Sequence, residues 1–256
     1  MDYESEFLRD GYLLFHYGSA GEILDGIGFD PARLPPHCLE FPVATVQAAG
    51  ITSGIARALD VGCATGRSTF ELSKIAGEAV GIDFSASFIA AAEALRRGEA
   101  VAYRRYGERH RPEPLVARLP EGARPGRVFY EQGDAMELRP DLGSFDLVHA
   151  ANLLCRLPEP RRFLDRLPGL VKPGGRLVLA TPATWMEEFT PWENQPEGET
   201  LDWLKERLAG DFELLSVAEL PFLLREHRRK FQLSTSQTSV WARRRALPLS
   251  TTSPQI

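Results

Sequence analysis

The chain has 256 residues, 43% hydrophobic and 25% charged, which suits one large α/β domain or two small ones and excludes a collagen, a coiled coil or wholesale disorder. A balance of 30 Lys plus Arg against 35 Asp plus Glu gives a net charge of −5, arguing against a protein that grips nucleic-acid phosphates and for a small-molecule partner. Cys38, Cys63 and Cys155 are odd in number and contain no CxxC pair, and the histidines at 16, 37, 110, 149 and 227 lack metal-ligand spacing. Reduced thiols and no metal are therefore expected. The start, MDYESEFLRDGY, lacks a cationic then apolar signal region, and no apolar run approaches the ~20 residues of a membrane span, so a cytoplasmic protein without a membrane or nucleic-acid partner is expected.

In chain order, Tyr3 to Tyr17 sets Phe7, Tyr12, Leu14 and Phe15 among Glu and Arg, an amphipathic helix ending at Gly18. Pro31, Pro35, Pro36 and Pro42 make Gly26 to Pro42 an irregular connection, with regular structure resuming near Val43. Ala58 to Val61 reads as a strand, Gly62 to Gly66 as a tight turn and Ser68 to Ile75 as a helix. Ala79 to Asp83 and the repeat Phe88, Ile89, Ala92, Leu95 make a second such unit. Ala100 to Arg127, rich in Gly and Pro, fits an inserted hairpin ahead of a third strand, Val128 to Glu131. Phe145 to Ala150 is a fourth strand, Phe163 to Val171 a helix, and Gly175 to Ala180 a fifth strand behind the turn Lys172-Pro173-Gly174. The expected alternation is βαβα throughout. A helix from about Thr200 to Leu208 and strand-like runs at Phe212 to Val217 and Thr238 to Arg243 follow. Residues 1–56 are expected to form an N-terminal cap and connection, 57–245 the main domain, and 246–256 a disordered tail.

The fold class is α/β, Rossmann-like: a mostly parallel sheet with helices on both faces and an N-terminal helical cap, its ligand beyond the carboxyl ends of the strands. Gly62 and Gly66 let backbone approach a ligand closely, but Gly62-Cys63-Ala64-Thr65-Gly66 breaks the GxGxxG spacing of a pyrophosphate loop. Asp60 ahead of the turn can accept from a cationic amine, Asp83 at the next strand end from both ribose hydroxyls, and Asp134 at the third from an adenine amino group. Three acids around one crevice repel a pyrophosphate but suit a sulfonium, an amine and a ribose, which points to S-adenosylmethionine (SAM).

The segments LDVGCATG, VGID, QGDA, FDLVHAANLL and VKPGGRLVLATP resemble the successive motifs of the class I SAM-dependent methyltransferases, with Ala64 in place of the middle glycine. LLFHYG, IDFSASFI, TWMEEFT and PFLLREHRRKFQ are more closely similar to the methyltransferase of ovothiol biosynthesis, with His227 departing from that pattern. This resemblance implies SAM-dependent methylation of 5-thiohistidine at the imidazole nitrogen next to the side-chain attachment carbon, with a separate iron-dependent sulfoxide synthase as functional partner. The alternatives are 5-selenohistidine or another small amine as acceptor, and a SAM-binding regulatory protein without catalysis.

The candidate cofactor residues are Tyr17, Asp60, Gly62, Cys63, Gly66, Arg67, Asp83, Phe84, Asp134, Ala135 and Asn152. Phe84 can stack on adenine or enter the core, and His16 and Tyr17 can close over the ligand or simply dock. Asn152 can bind the acceptor or the cofactor's amino-acid portion, or cap a helix. Trp185 and Glu187 stand where an acceptor enters, and Arg225, Arg229 and Lys230 could take a carboxylate, which with Tyr17 and Asn152 completes the candidate acceptor set. Glu187, Glu188 and His16 are the candidates for accepting a proton. Cys63 and Cys155 have no histidine partner in the sequence pattern and read as packing residues rather than nucleophiles.

Overall fold

The computed structural model describes residues 3–108 and 111–245. The expected tail, 246–256, and His110 lie outside the described residues.

Helix α1 (Glu6–Tyr17) begins where Ser5 accepts a hydrogen bond from the Leu8 amide, and ends where Gly18 donates to Leu14 O. Its apolar face buries Leu13, Leu14 and Phe15. Helix α2 (Ala20–Leu24) follows, opened by a capping box between Ser19 and Glu22. The proline-rich connection is irregular apart from a 3-10 turn, and α3 (Phe41–Gln47) starts with Pro42 in its first turn, where a missing amide hydrogen costs nothing.

The two expected strand-turn-helix units are β1 (Ile55–Val61) with α4 (Arg67–Ile75), and β2 (Ala76–Asp83) with α5 (Ala86–Arg96). The inserted hairpin is β3 (Val101–Tyr106) and β4 (Pro112–Ala117), an antiparallel sheet of its own. The central sheet continues with β5 (Val128–Gln132), β6 (Phe145–Ala151), then α6 (Pro160–Leu170), β7 (Val171–Thr181), α7 (Thr200–Leu208), β8 (Phe212–His227) and β9 (Lys230–Arg243). Its order is β5-β2-β1-β6-β7-β9-β8, with the first five strands parallel and the β9-β8 hairpin antiparallel at one edge.

Two expectations need correction. The alternation is not βαβα throughout: β5 and β6 are joined by 3-10 turns at Ala135–Glu137 and Pro140–Leu142, because Gly133, Pro140 and Gly143 interrupt the connection. The final runs are also longer than their apolar stretches. Pairing continues from Phe212 to His227 through register shifts near Ser216 and Glu226, with Phe222 and Leu223 buried while Ser216 to Glu219 face solvent. A strand half in water carries little apolar signal.

β1 is buried on both faces from Ala58 to Val61, as a central parallel strand should be. Leu59 and Val61 pack with Phe145, Phe163 and Trp241 on one side of the sheet; Ala58 packs with Phe70, Leu147 and Val178 on the other. Leu13 of α1 and Val46 of α3 belong to that second cluster. The cap therefore shares the core of the sheet domain. Asp10, wholly buried on α1, is met by Arg9 and by Arg104 of β3 at 3.1 Å, which ties the hairpin to the cap. No helix among the described residues is long and apolar enough to cross a membrane.

Because Leu13 is fully buried in a cluster with sheet residues, Leu13→Ala is expected to cost about 2–5 kcal/mol in a single unfolding transition followed by chemical denaturation. Leu215→Ala, at a side chain 47% exposed, should change stability by less than about 1 kcal/mol. Equal losses at both positions would show that the cap does not share the core.

Candidate active site

Four strand ends, β5, β2, β1 and β6, stand side by side and open into a cavity of about 470 Å³, within the usual size of a small-ligand pocket. Its floor is the turn after β1. Gly62 and Gly66 hold φ values of 74° and 87°, and Cβ atoms there would meet Leu153 and the Tyr130 phenol, so both positions need glycine. Ala64 adopts the same left-handed region at φ 46°, a conformation its Cβ disfavours. The turn is held by Ile82 O, which accepts from the amides of Gly62 and Cys63 at 2.8 and 3.1 Å.

Asp83 is fixed by the backbone. Its two oxygens accept from Ala64 N at 2.8 Å and Ser85 N at 2.9 Å, which aims the carboxylate into the cavity mouth between two turns. Burial raises its pKa to about 6; the two amides oppose that shift, and the Asp60 and Glu4 charges add to it. Asp134 lines the cavity while also capping the 3-10 turn through Met136 N at 2.8 Å. Asp60 is buried at the end of β1, accepting from Thr69 Oγ1 at 2.7 Å and from His149 Nδ1 at 2.8 Å.

The end of α1 is bound to the turn. His16 Nδ1 and Thr65 Oγ1 share a hydrogen bond of 2.9 Å, the Tyr17 hydroxyl donates to Thr65 O at 2.6 Å, and Arg67 donates to His16 O at 3.2 Å. Burial, with the Arg67 charge, lowers the His16 pKa to about 3, so the ring is neutral and a weak base. It lines the cavity as a hydrogen-bonding group and not as a store for a proton. Tyr12, Phe15, Phe41, Phe189 and Phe222 make that end of the cavity aromatic.

Of the residues expected at the site, His16, Asp60, Gly62, Cys63, Asp83, Phe84, Asp134, Ala135, Asn152 and Glu188 line the cavity. Phe84 is 69% exposed at its rim, so it does not enter the core. Asn152 takes φ 55°, with its side-chain oxygen accepting from Ser236 at 2.5 Å. Burial raises the Cys63 thiol well above its ordinary pKa, leaving it a packing group. Tyr17, Gly66 and Arg67 stand behind the turn instead of in the cavity: Gly66 O accepts from Tyr130, and Arg67 pairs with Glu71 at 3.0 Å.

The expected acceptor set is largely displaced. Trp185 turns into the core, donating to Thr200 Oγ1 at 2.9 Å and meeting Trp203 edge-on, and Glu187 is exposed outside the cavity. Arg225 donates to Ile23 O at 2.7 Å, because strand alternation puts it on the face opposite Leu224, which does line the cavity. Arg229 pairs with Glu108 and Lys230 with Glu226, near the tip of the β8-β9 hairpin. The cavity's guanidinium belongs instead to Arg156, lying over the Phe189 ring at 4.7 Å, the only Arg or Lys among the described lining residues. Arg156 and Tyr3 were not foreseen. The one signal for Arg156 was its place just beyond the fourth strand.

Residues 59–177 match the family model of a methyltransferase domain. They carry a class I SAM-dependent methyltransferase domain. Among curated proteins, the chain is 31% identical over 144 residues to a trans-aconitate 2-methyltransferase of Deinococcus radiodurans, covering 56% of this chain and 44% of that protein. It is 28% identical over 150 residues to a ubiquinone biosynthesis O-methyltransferase of Xanthomonas euvesicatoria, covering 58% and 50%. The chain thus spans about half the length of these relatives. The N-methyltransferase NodS from Bradyrhizobium japonicum shares the fold, with a TM-score of 0.53 at 15% identity over 79% of this chain and 94% of that one.

The cavity fits SAM on its own chemistry: carboxylates at the strand ends, no glycine-rich pyrophosphate loop, and a buried unpartnered nitrogen, His149 Nε2, beside Asp60. Asp83 would hold the ribose, with Asp134 and Ala135 beside the adenine. Protonation of Asp83 below about pH 6 removes an acceptor, so SAM affinity measured by titration calorimetry is expected to be highest near pH 7 and to fall through pH 6, by up to about tenfold per unit. Asp83→Asn should bind weakly with no such slope. A level wild-type profile down to pH 5 would remove Asp83 as the ribose acceptor.

Proposed function

We propose that the protein transfers a methyl group from SAM to an imidazole nitrogen of 5-thiohistidine, the one next to the side-chain attachment carbon, giving ovothiol A. One observation carries this reading. Four segments far apart in the chain, each part of the resemblance noted in the sequence, line the same cavity: Phe15 and His16; Asp83, Phe84, Ser85 and Phe88; Glu188 and Phe189; Phe222 and Leu224. Three of the four lie outside residues 59–177, the span that the methyltransferase family model matches.

When bound, SAM supplies a methyl already activated on a sulfonium, and the chain has to align an acceptor and keep water away. The aromatic walls from Tyr12, Phe15, Phe41, Phe189 and Phe222 are suited to a flat imidazole and exclude water. His16, held neutral, adds no positive charge beside a sulfonium. Arg156 offers a guanidinium to the substrate carboxylate, and Glu188 a carboxylate to its ammonium. An acceptor nitrogen presented as a lone pair needs no base in the transfer itself. The substrate's ring carbon–sulfur bond would be formed by a separate iron-dependent sulfoxide synthase, with a further reductive C–S cleavage releasing the thiol.

Mass spectrometry of a reaction with purified protein, SAM and reduced 5-thiohistidine should show a gain of one methyl, with none on histidine; a parallel selenohistidine reaction ranks the two chalcogens. No gain on thiohistidine would end the reading. Arg156→Gln and Glu188→Gln should each raise the acceptor KM by roughly 10- to 100-fold, and Glu187→Gln should leave it unchanged. Unaltered KM in the first two variants would remove them from acceptor binding.

A further inference from the structure

Asp60 and His149 sit opposite one another on the adjacent strands β1 and β6, and both side chains are at most 2% exposed. Each oxygen of Asp60 has a protein partner, Oδ2 accepting from Thr69 and Oδ1 from His149. A carboxylate can only accept, so Nδ1 of His149 donates, and in the neutral tautomer that makes this contact Nε2 presents a lone pair. That Nε2 is buried without a hydrogen-bond partner, in a ring that lines the cavity. Buried polar atoms are rarely left unpaired, and here an aspartate behind the ring adds a negative charge whose side-chain hydrogen-bond partners among the described residues are Thr69 and His149. The pair is built to receive a donor, and a cationic one.

The order of the strands says which donor. Asp134, Asp83, Asp60 and His149 line the cavity from the neighbouring strands β5, β2, β1 and β6, with Asp60 and His149 level with Gly81 and so two residues deeper than Asp83. A nucleoside seated on Asp83 and Asp134 places its remaining portion over β1 and β6. In SAM that portion is an amino acid, and its cationic donor is the α-ammonium.

We infer that His149 Nε2 accepts a hydrogen bond from the α-ammonium of the cofactor's methionine portion, and that Asp60 acts on the cofactor through this ring and not by direct contact. The sequence expectation had assigned the amine to Asp60 itself. His149 is thereby a cofactor-binding residue that fixes the amino-acid tail, and the inference rests on the cofactor alone, whatever the acceptor proves to be.

The test is calorimetric binding of three ligands to wild type and to His149→Phe: SAM, decarboxylated SAM, which keeps the amine, and 5′-methylthioadenosine, which lacks the amino-acid tail. His149→Phe should weaken both amine-bearing ligands by about tenfold or more and leave methylthioadenosine within about twofold. His149→Gln, whose amide oxygen can accept, should recover part of the loss. Equal weakening of all three ligands would assign His149 a structural role, and no weakening would leave Nε2 without a ligand; either result overturns the inference. A second readout needs no variant: in wild type labelled with 15N-histidine, the Nε2 resonance of His149 should start as an unprotonated nitrogen and move upfield when SAM is added, but stay still with methylthioadenosine. An unmoved resonance under saturating SAM contradicts the inference even where the variants fail to fold.

Discussion

The Asp83 carboxylate joins the two turns on which the site depends. By accepting from Ala64 in the first turn and Ser85 in the second, it sets the spacing between the ends of β1 and β2 and so shapes the floor of the cavity. The arrangement carries a built-in tension. Both amides favour the ionised form, yet burial raises the pKa to about 6, so the charge at the strand ends is held against the cost of its burial. Carbonyl Ile82 O, one residue earlier, holds the other side of the first turn. The left-handed Ala64 is tolerated because its amide is committed to Asp83.

Around that floor the cap and the β8-β9 hairpin make the other walls. Leu13 and Val46 anchor the cap in the core, and the end of α1 then meets the turn through His16, Tyr17 and Thr65. Segments that carry the core domain and segments outside it are thus coupled by hydrogen bonds of under 3 Å. The strand-end half of the cavity carries Asp60, Asp83 and Asp134 and the cap half is aromatic, so one cavity presents two chemically different surfaces. Arg156 lines the same cavity, its guanidinium packed on Phe189.

The sheet domain was legible in the sequence because its signals are local. An apolar run, a turn that needs glycine and an amphipathic helix follow one another within some 20 residues, and Asp60, Asp83 and Asp134 are placed by the strand ends they close. The inserted hairpin and the amphipathic α1 were legible for the same reason. What failed depended on register. Arg225 and Leu224 are neighbours in sequence but face opposite sides of β8, so a cluster of basic residues could not be assigned to the cavity from its composition. The link between His149 and Asp60 exists only because β1 and β6 are paired in that register, and nothing in the run Phe145 to Ala151 signals it. Trp185 was misplaced because α7 offers it a hydrogen-bond partner, Thr200, 15 residues away in sequence, and a ring to pack on, Trp203, just beyond.

The most direct test of the central claim, that one cavity holds a nucleoside on the strand ends beneath a docked cap, is a crystal structure of the protein with S-adenosylhomocysteine. Ribose hydroxyls are expected on Asp83, the adenine beside Asp134 and Ala135, and α1 in its docked position with His16 still on Thr65. A ligand bound elsewhere, or one seated only after α1 leaves the turn, would contradict it.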